Sequence, residues 1–196
     1  AKTYWNCGDF RDHHDIHSII PGNSLSPDHS NFRVYWWLEL GGERHVIHDN
    51  ESIYQDLLAE MFGIWDHLKN HCTEETREAL RNYDLTFWSL IPLKRGSRRV
   101  EGDYVFTEHD VFYPQLFPDR IGYGGFPLDL HPPEGLRSTE PPCDQTFVNQ
   151  FFSVPYRMFY ARDVENLFLG GRCLSTSYAA LGALRVMYTL GSFGQA

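Results

Sequence analysis

The sequence predicts an α+β fold: a mixed sheet with helices, followed by a closing strand, glycine turn and helix of the kind that completes a nucleotide-binding domain. Three observations carry that expectation. Ile53, Leu57, Met61, Trp65 and Leu68 recur on one helical stripe. FRVYWWLEL alternates, with Phe32, Val34, Trp36, Leu38 and Leu40 on one face and Arg33, Tyr35, Trp37 and Glu39 on the other. NLFLGGR sets a short apolar run, as in a buried central strand, directly before a glycine pair.

In chain order, residues 1–31 are rich in His, Asp, Asn, Ser, Pro and Gly, with only the patch 16–20 to bury, and read as a surface-hugging irregular segment. A strand follows over 32–40, stopped by Gly41 and Gly42, and 45–48 pairs back as a hairpin. Asp49 or Asn50 caps a helix over 51–70 by accepting backbone N–H bonds. Glu74 and Glu75, behind Thr73, open a second helix to about Tyr83, because carboxylates in a first turn complement the helix dipole. LTFWSLIPL (85–93) and RRVEGDYVFT (98–107) read as strands around the basic turn 94–99. Residues 114–145, rich in proline and glycine, read as loop with short strands. Strands over 156–160 and 166–170 lead to the terminal helix AALGALRVMYTLGSFGQA, whose periodicity reaches Ala196 without a stop signal. A helix that continues past Ala196, and a start without methionine, imply that both ends are cut.

Composition bounds the function. A chain of 196 residues with 42% hydrophobic content has the material for a folded core. Its 17 basic against 26 acidic side chains leave a net charge of −9, which disfavours nucleic acid and anionic lipid as partners. Cys7, Cys72, Cys143 and Cys173 form no CxxC pair, so neither a zinc ribbon nor a disulfide scaffold is signalled. No apolar run reaches the roughly 18 residues that span a bilayer, and AKTYWNCGDF lacks the order of a signal peptide, so localisation is not readable. His13 with His17, and His67 with His71, would share helical faces but have no third ligand set by spacing, so no metal site is assigned. Ser175-Thr176-Ser177 lacks a nucleophile elbow and gives hydrolase chemistry no support.

Asp129-Leu130-His131-Pro132-Pro133 is the strongest acid–base candidate. Pro132 forces His131 into an extended conformation, which sends Asp129 and His131 to one side of the chain. A histidine there can take a proton that leaves a substrate during oxidation, and a structural histidine in a proline-rich loop is the alternative. Lys94, Arg95, Arg98 and Arg99 cluster in an otherwise acidic chain and suit an anion. Pairing with Glu101, Asp103 or Glu108 is the alternative there.

NLFLGGRCLSTSYAALGALRVMYTLGSFGQA, YWWLELGG, GIWDHLKN, KRGSRRVEGDY and YGGFPLDLHPP together resemble, in the same order, the FAD-dependent oxidoreductase family within the glutathione-reductase-like flavoproteins. The likeness covers residues 32–196. It implies FAD as cofactor and transfer of a hydride from a small organic substrate to the flavin. By that resemblance Gly171 and Arg172 lie beside the ribityl or ring portion of FAD, and Ser175 belongs to the serine-rich loop of the cofactor side. Ala180, Leu181, Gly182 and Ala183 bring the positive end of a helix to the ring, where reduction accumulates negative charge. Arg98 and Arg99 fall on the flavin or substrate side.

Tyr178 stands where relatives carry a histidine, so it shares with His131 the candidacy for proton transfer. Arg172 stands where the wider superfamily has an acidic residue. The implied domains are an irregular segment at 1–31, a substrate-side domain at 32–150 and the C-terminal part of an FAD-binding Rossmann-like domain at 151–196. No GxGxxG motif occurs, so the chain is expected to be a fragment that binds FAD weakly and is inactive without an N-terminal FAD-binding segment. The alternative is a noncatalytic ligand- or carbohydrate-binding module built on the aromatics and the arginine cluster.

Overall fold

The computed structural model describes residues 38–71, 74–141 and 143–196. They divide between two units, one within Ala1–Leu93 and Pro132–Pro142, the other Lys94–His131 with Cys143–Ala196. The architecture is α+β, with helices and small antiparallel sheets.

In the first unit, helix α1 (Asn50–Asp66) runs on into a π-helical turn, His67–His71, so the expected helix is present over its whole length. Its buried line is Ile53, Glu60, Gly63, Ile64, His67 and Leu68. Leu57, Met61 and Trp65 of the expected stripe are only half-buried. Asp49 does not cap α1 through its side chain, because its carboxylate accepts the His45 N–H at 3.0 Å in the preceding turn. That turn replaces the expected hairpin at 45–48. Helix α2 (Glu74–Leu80) stops three residues short of the expected end at Tyr83, and Lys69 explains how: its ammonium donates to the carbonyls of Leu80, Arg81 and Tyr83 at 2.9, 3.1 and 2.7 Å, satisfying acceptors that the chain leaves open there. Residues 38–40 and 85–93 are not strands, and Phe87, Leu90, Ile91 and Leu93 are exposed. Residues 32–37 of the first expected strand, the segment 1–31 and the pair His13 and His17 lie outside the described residues.

The second unit holds helix α3 (Glu108–Phe112) and strands β1 (Arg120–Gly124), β2 (Leu128–Leu130), β3 (Asp144–Thr146) and β4 (Phe152–Pro155). Among the described residues the strands pair as β1–β4 and β2–β3, both antiparallel, rather than as one mixed sheet. Phe106, Phe152, Val154, Met158 and Leu174 are fully buried in a core shared with helices α4 (Tyr178–Leu184) and α5 (Met187–Phe193). Each such large side chain contributes about 1.5–3 kcal/mol. The Tyr104 hydroxyl donates to Asp110 at 2.7 Å, and burial with that hydrogen bond pushes its pKa up to about 12.

Four further expected elements differ from the structure. The extended segment 98–107 forms a single parallel bridge, Phe106 to Thr176, instead of a strand ladder, because its N–H groups are spent on carbonyls of Arg157, Cys173 and Ser175. A strand at 156–160 is replaced by β4 and a 3-10 turn, Tyr156–Met158, and 166–170 makes only an isolated bridge between Tyr160 and Phe168. The terminal helix breaks at Arg185 and Val186, the latter extended with ψ 137°. Past the break, Phe193 packs on Phe159 with ring centroids 5.4 Å apart. Among the described residues no helix is long and apolar enough to cross a membrane.

Candidate functional site

Strand alternation builds the site. Leu128 of β2 turns into the core, so Asp129 faces the other way and His131, two residues on, faces with it. The side chains meet, with His131 Nε2 3.0 Å from Asp129 Oδ2. Antiparallel pairing sets Gln145 of β3 opposite Asp129, and its Nε2 donates to Asp129 Oδ1 at 3.1 Å. Arg185, at the end of α4, donates from Nη2 to the same Oδ2 at 2.7 Å. The side chains of Asp129, His131 and Arg185 are 12%, 8% and 12% exposed.

Burial and charge set the protonation states. Burial alone would raise the Asp129 pKa, but the hydrogen bonds from Gln145 and His131, with the charge of Arg185, outweigh it and hold the carboxyl below its ordinary value. His131 moves down as well: burial and the positive charges of Arg95 and Arg185 overcome the attraction of Asp129. At neutral pH the site therefore holds an ionised Asp129, a permanent Arg185 cation beside it and a neutral imidazole. An ionised carboxylate only accepts, so the His131 proton sits on Nε2 and the basic lone pair on Nδ1. Cys143 lies nearby, and burial followed by the Asp129 charge pushes its thiol up, which keeps it protonated.

Asp129, Leu130 and His131 line a small pocket with Arg95, Tyr178, Leu181, Gly182 and Arg185. Its enclosed space is about 20 Å³, room for one water-sized group. Helix α4 reaches this wall because Gly182 has no side chain: a Cβ there would lie 2.5 Å from the Asp129 carbonyl oxygen. Tyr178, at the start of α4, lines the same pocket and is 60% exposed.

The other expected residues divide by exposure. Gly171 has φ +79° and nothing within 4 Å of the place a Cβ would take, and the same open space adjoins Gly170. Arg172, Arg98 and Arg99 are exposed, and neither Arg98 nor Arg99 pairs with a described residue. Their alternative partners are occupied elsewhere: Glu101 by Arg162, Asp103 by Tyr160 and Glu108 by Ser177. Ser175, Leu181, Gly182 and Ala183 are buried. The Ser175 hydroxyl donates to the Tyr104 carbonyl at 2.7 Å, and Leu181 and Gly182 face the pocket. His67 and His71 have ring centroids 6.4 Å apart, and His71 pairs with Asp66.

Sequence reasoning assigned no role to Arg185 or Gln145 and left Arg95 within an undivided cluster. Gln145 becomes visible only through the β2–β3 register. Arg185 had a signal, a cation three residues after a glycine in a helix of small residues, but its partner lies 56 positions away.

A family model described as FAD dependent oxidoreductase matches residues 12–196. No curated protein and no solved structure matches the chain.

Proposed function

We propose, for a chain that belongs to the FAD dependent oxidoreductase family, that it moves a hydride from an organic small-molecule substrate to the flavin, with His131 as the acceptor of the accompanying proton. Membership makes FAD the cofactor and flavin-linked redox chemistry the activity at family level, and it does not favour a noncatalytic binding module.

The residues present fit a flavin at one part of the expected set. The open space beside Gly170 and Gly171 leaves their backbone accessible to a ligand, and the exposed Arg172, Arg98 and Arg99 supply cations for anionic groups of cofactor or substrate. Ser175, Leu181, Gly182 and Ala183 serve this reading by setting the loop and helix behind that surface. In this division residues 151–196 close the FAD side and 32–150 carry the substrate side. When bound, FAD supplies the two-electron acceptor.

The chain's own residues handle the proton. A substrate hydroxyl or amine, which is the size of group the pocket takes, gives its proton to the His131 imidazole, whose Nδ1 is enclosed in the structure, as the neighbouring C–H leaves with both electrons. Asp129 steadies the imidazolium that results, and Tyr178 orients the substrate from the pocket wall. The observation that carries this reading is the buried 3.0 Å Asp129–His131 pair lining a pocket beside α4.

Anaerobic bleaching by a panel of alcohols and amines, with FAD held well above its dissociation constant, tests it. His131→Gln should slow bleaching about 10²- to 10⁴-fold, the usual worth of a general base, with FAD retained. Tyr178→Phe should cost less than about tenfold. A His131→Gln protein that bleaches at the normal rate while Tyr178→Phe does not would move the proton to the phenol.

A further inference from the structure

Two residues of α4, three positions apart and therefore on one helical face, grip the same target. Gly182 brings the helix backbone onto the backbone of Asp129, where a Cβ would lie 2.5 Å from the carbonyl oxygen, 3.1 Å from the nitrogen and 3.2 Å from the carbonyl carbon. Arg185 then reaches the carboxylate at 2.7 Å and the Asp129 carbonyl at 3.4 Å through one Nη2 group. Arg185 is also the C-cap of α4, where the helix dipole favours a cation. Immediately beyond it the helix breaks, so the guanidinium sits where the chain changes direction.

The carboxylate held in this way is engaged at both oxygens. Oδ1 receives Gln145, and Oδ2 receives both Arg185 and His131. Since Arg185 cannot lose its proton, Asp129 keeps a charge and stays an acceptor. The imidazole next to it must then present an N–H on Nε2.

We propose that Gly182 and Arg185 are positioning residues that act through Asp129, locking the His131 imidazole in the tautomer with its proton on Nε2 and its basic nitrogen at Nδ1. The catalytic consequence rests on the reading of His131 as proton acceptor; the lock itself does not. Neither residue has to touch substrate or flavin. Among the described residues, the charged and titratable groups that face His131 include Asp129, Arg95 and Arg185, with Tyr178 on the pocket wall and the Cys143 thiol beside Asp129.

The test uses the ¹⁵N-labelled chain without any ligand. Long-range ¹H–¹⁵N correlation identifies His131 by the loss of its signals in His131→Gln and reports which ring nitrogen carries the proton. The wild-type chain should show Nε2–H alone, with a titration midpoint below the ordinary value of about 6.5. In Arg185→Gln, with a repelling cation gone, the midpoint should rise by about half a unit or more and the Nδ1 and Nε2 shifts should move toward each other as tautomers mix. Arg185→Lys keeps the charge but not the planar fork, so its midpoint should stay near wild type.

A merely structural arginine would lower the melting temperature and leave the tautomer alone. An Nδ1–H tautomer in the wild-type chain would overturn the proposal without any variant. So would a folded Arg185→Gln chain with unchanged shifts and midpoint; should that variant fail to fold, Arg185→Lys with mixed tautomers at an unchanged charge would support the lock and the wild-type spectrum would still decide it. If the lock holds but His131→Gln bleaches flavin normally, positioning stands and the base assignment falls.

Discussion

Replacing Asp129 by Asn removes one charge and little else. Three donors converge on the carboxylate, His131 and Arg185 at Oδ2 and Gln145 at Oδ1. An Asn side chain can keep its oxygen toward His131 and Arg185 and offer its NH₂ to Gln145, which turns its amide to present oxygen. The hydrogen bonds survive that exchange, so the loss is the countercharge of Arg185, a side chain 12% exposed. Stripping one partner from a buried pair costs about 3–5 kcal/mol. The residual exposure here, and the second bond from Arg185 to the Asp129 carbonyl, bring the expectation down to about 2–3 kcal/mol. For a chain of this size that lowers the melting temperature by roughly 4–12 °C.

Urea unfolding of Asp129→Asn, Arg185→Met and the double variant measures the effect. With neither charge present, the double variant should lose less than the sum of the singles, by about 1 kcal/mol or more. Strict additivity, or an Asp129→Asn chain within about 0.5 kcal/mol of wild type, would refute the claim that these groups form one buried unit.

Burial and the adjacent cations hold His131 below its ordinary pKa, so the folded chain takes up this proton less readily than the unfolded chain. That contribution to stability is whole above about pH 6.5 and is lost as pH falls toward the folded-state value, while Asp129, also depressed, adds a loss only below about pH 4. Urea midpoints should therefore fall between pH 7.5 and 5.5 and fall less in His131→Gln; a midpoint that rises over this interval contradicts the protonation states derived above. Because no glycine-rich phosphate turn occurs in the sequence, titration of the isolated chain with FAD, followed by flavin fluorescence, should give weak binding, and submicromolar affinity would show the cofactor site to be misplaced. Gly171→Ala, which strains a φ of +79° by about 1–2 kcal/mol, should weaken FAD binding further in the same titration.

Much of the site is local and so was readable. Pro132 and the two-residue repeat of an extended chain place Asp129 and His131 on one side whatever the rest of the molecule does. The long first helix was equally legible because its apolar period is sustained over many turns, although tertiary packing rotated the buried line toward Glu60, Gly63 and Ile64. Residues 85–93 show the limit: β-branched and aromatic content marks a segment that fits a half-buried sheet, but a strand needs a partner, and this stretch has none among the described residues. The break at Arg185 and Val186 has no proline or glycine to announce it. It arises where a buried carboxylate claims the arginine and the core claims Phe193.

By itself the sequence determined the α+β character, the acidic charge balance, the family resemblance and the Asp129–His131 pairing. All of these follow from short-range periodicity, composition or ordered motifs. Only the tertiary structure decided that Arg185 and Gln145 hold Asp129, that Gly182 serves a close approach to β2, and that Gly170 and Gly171 border open space. Those facts depend on which distant backbones touch, and contact at long sequence separation is set by packing, on which no single stretch of residues carries information.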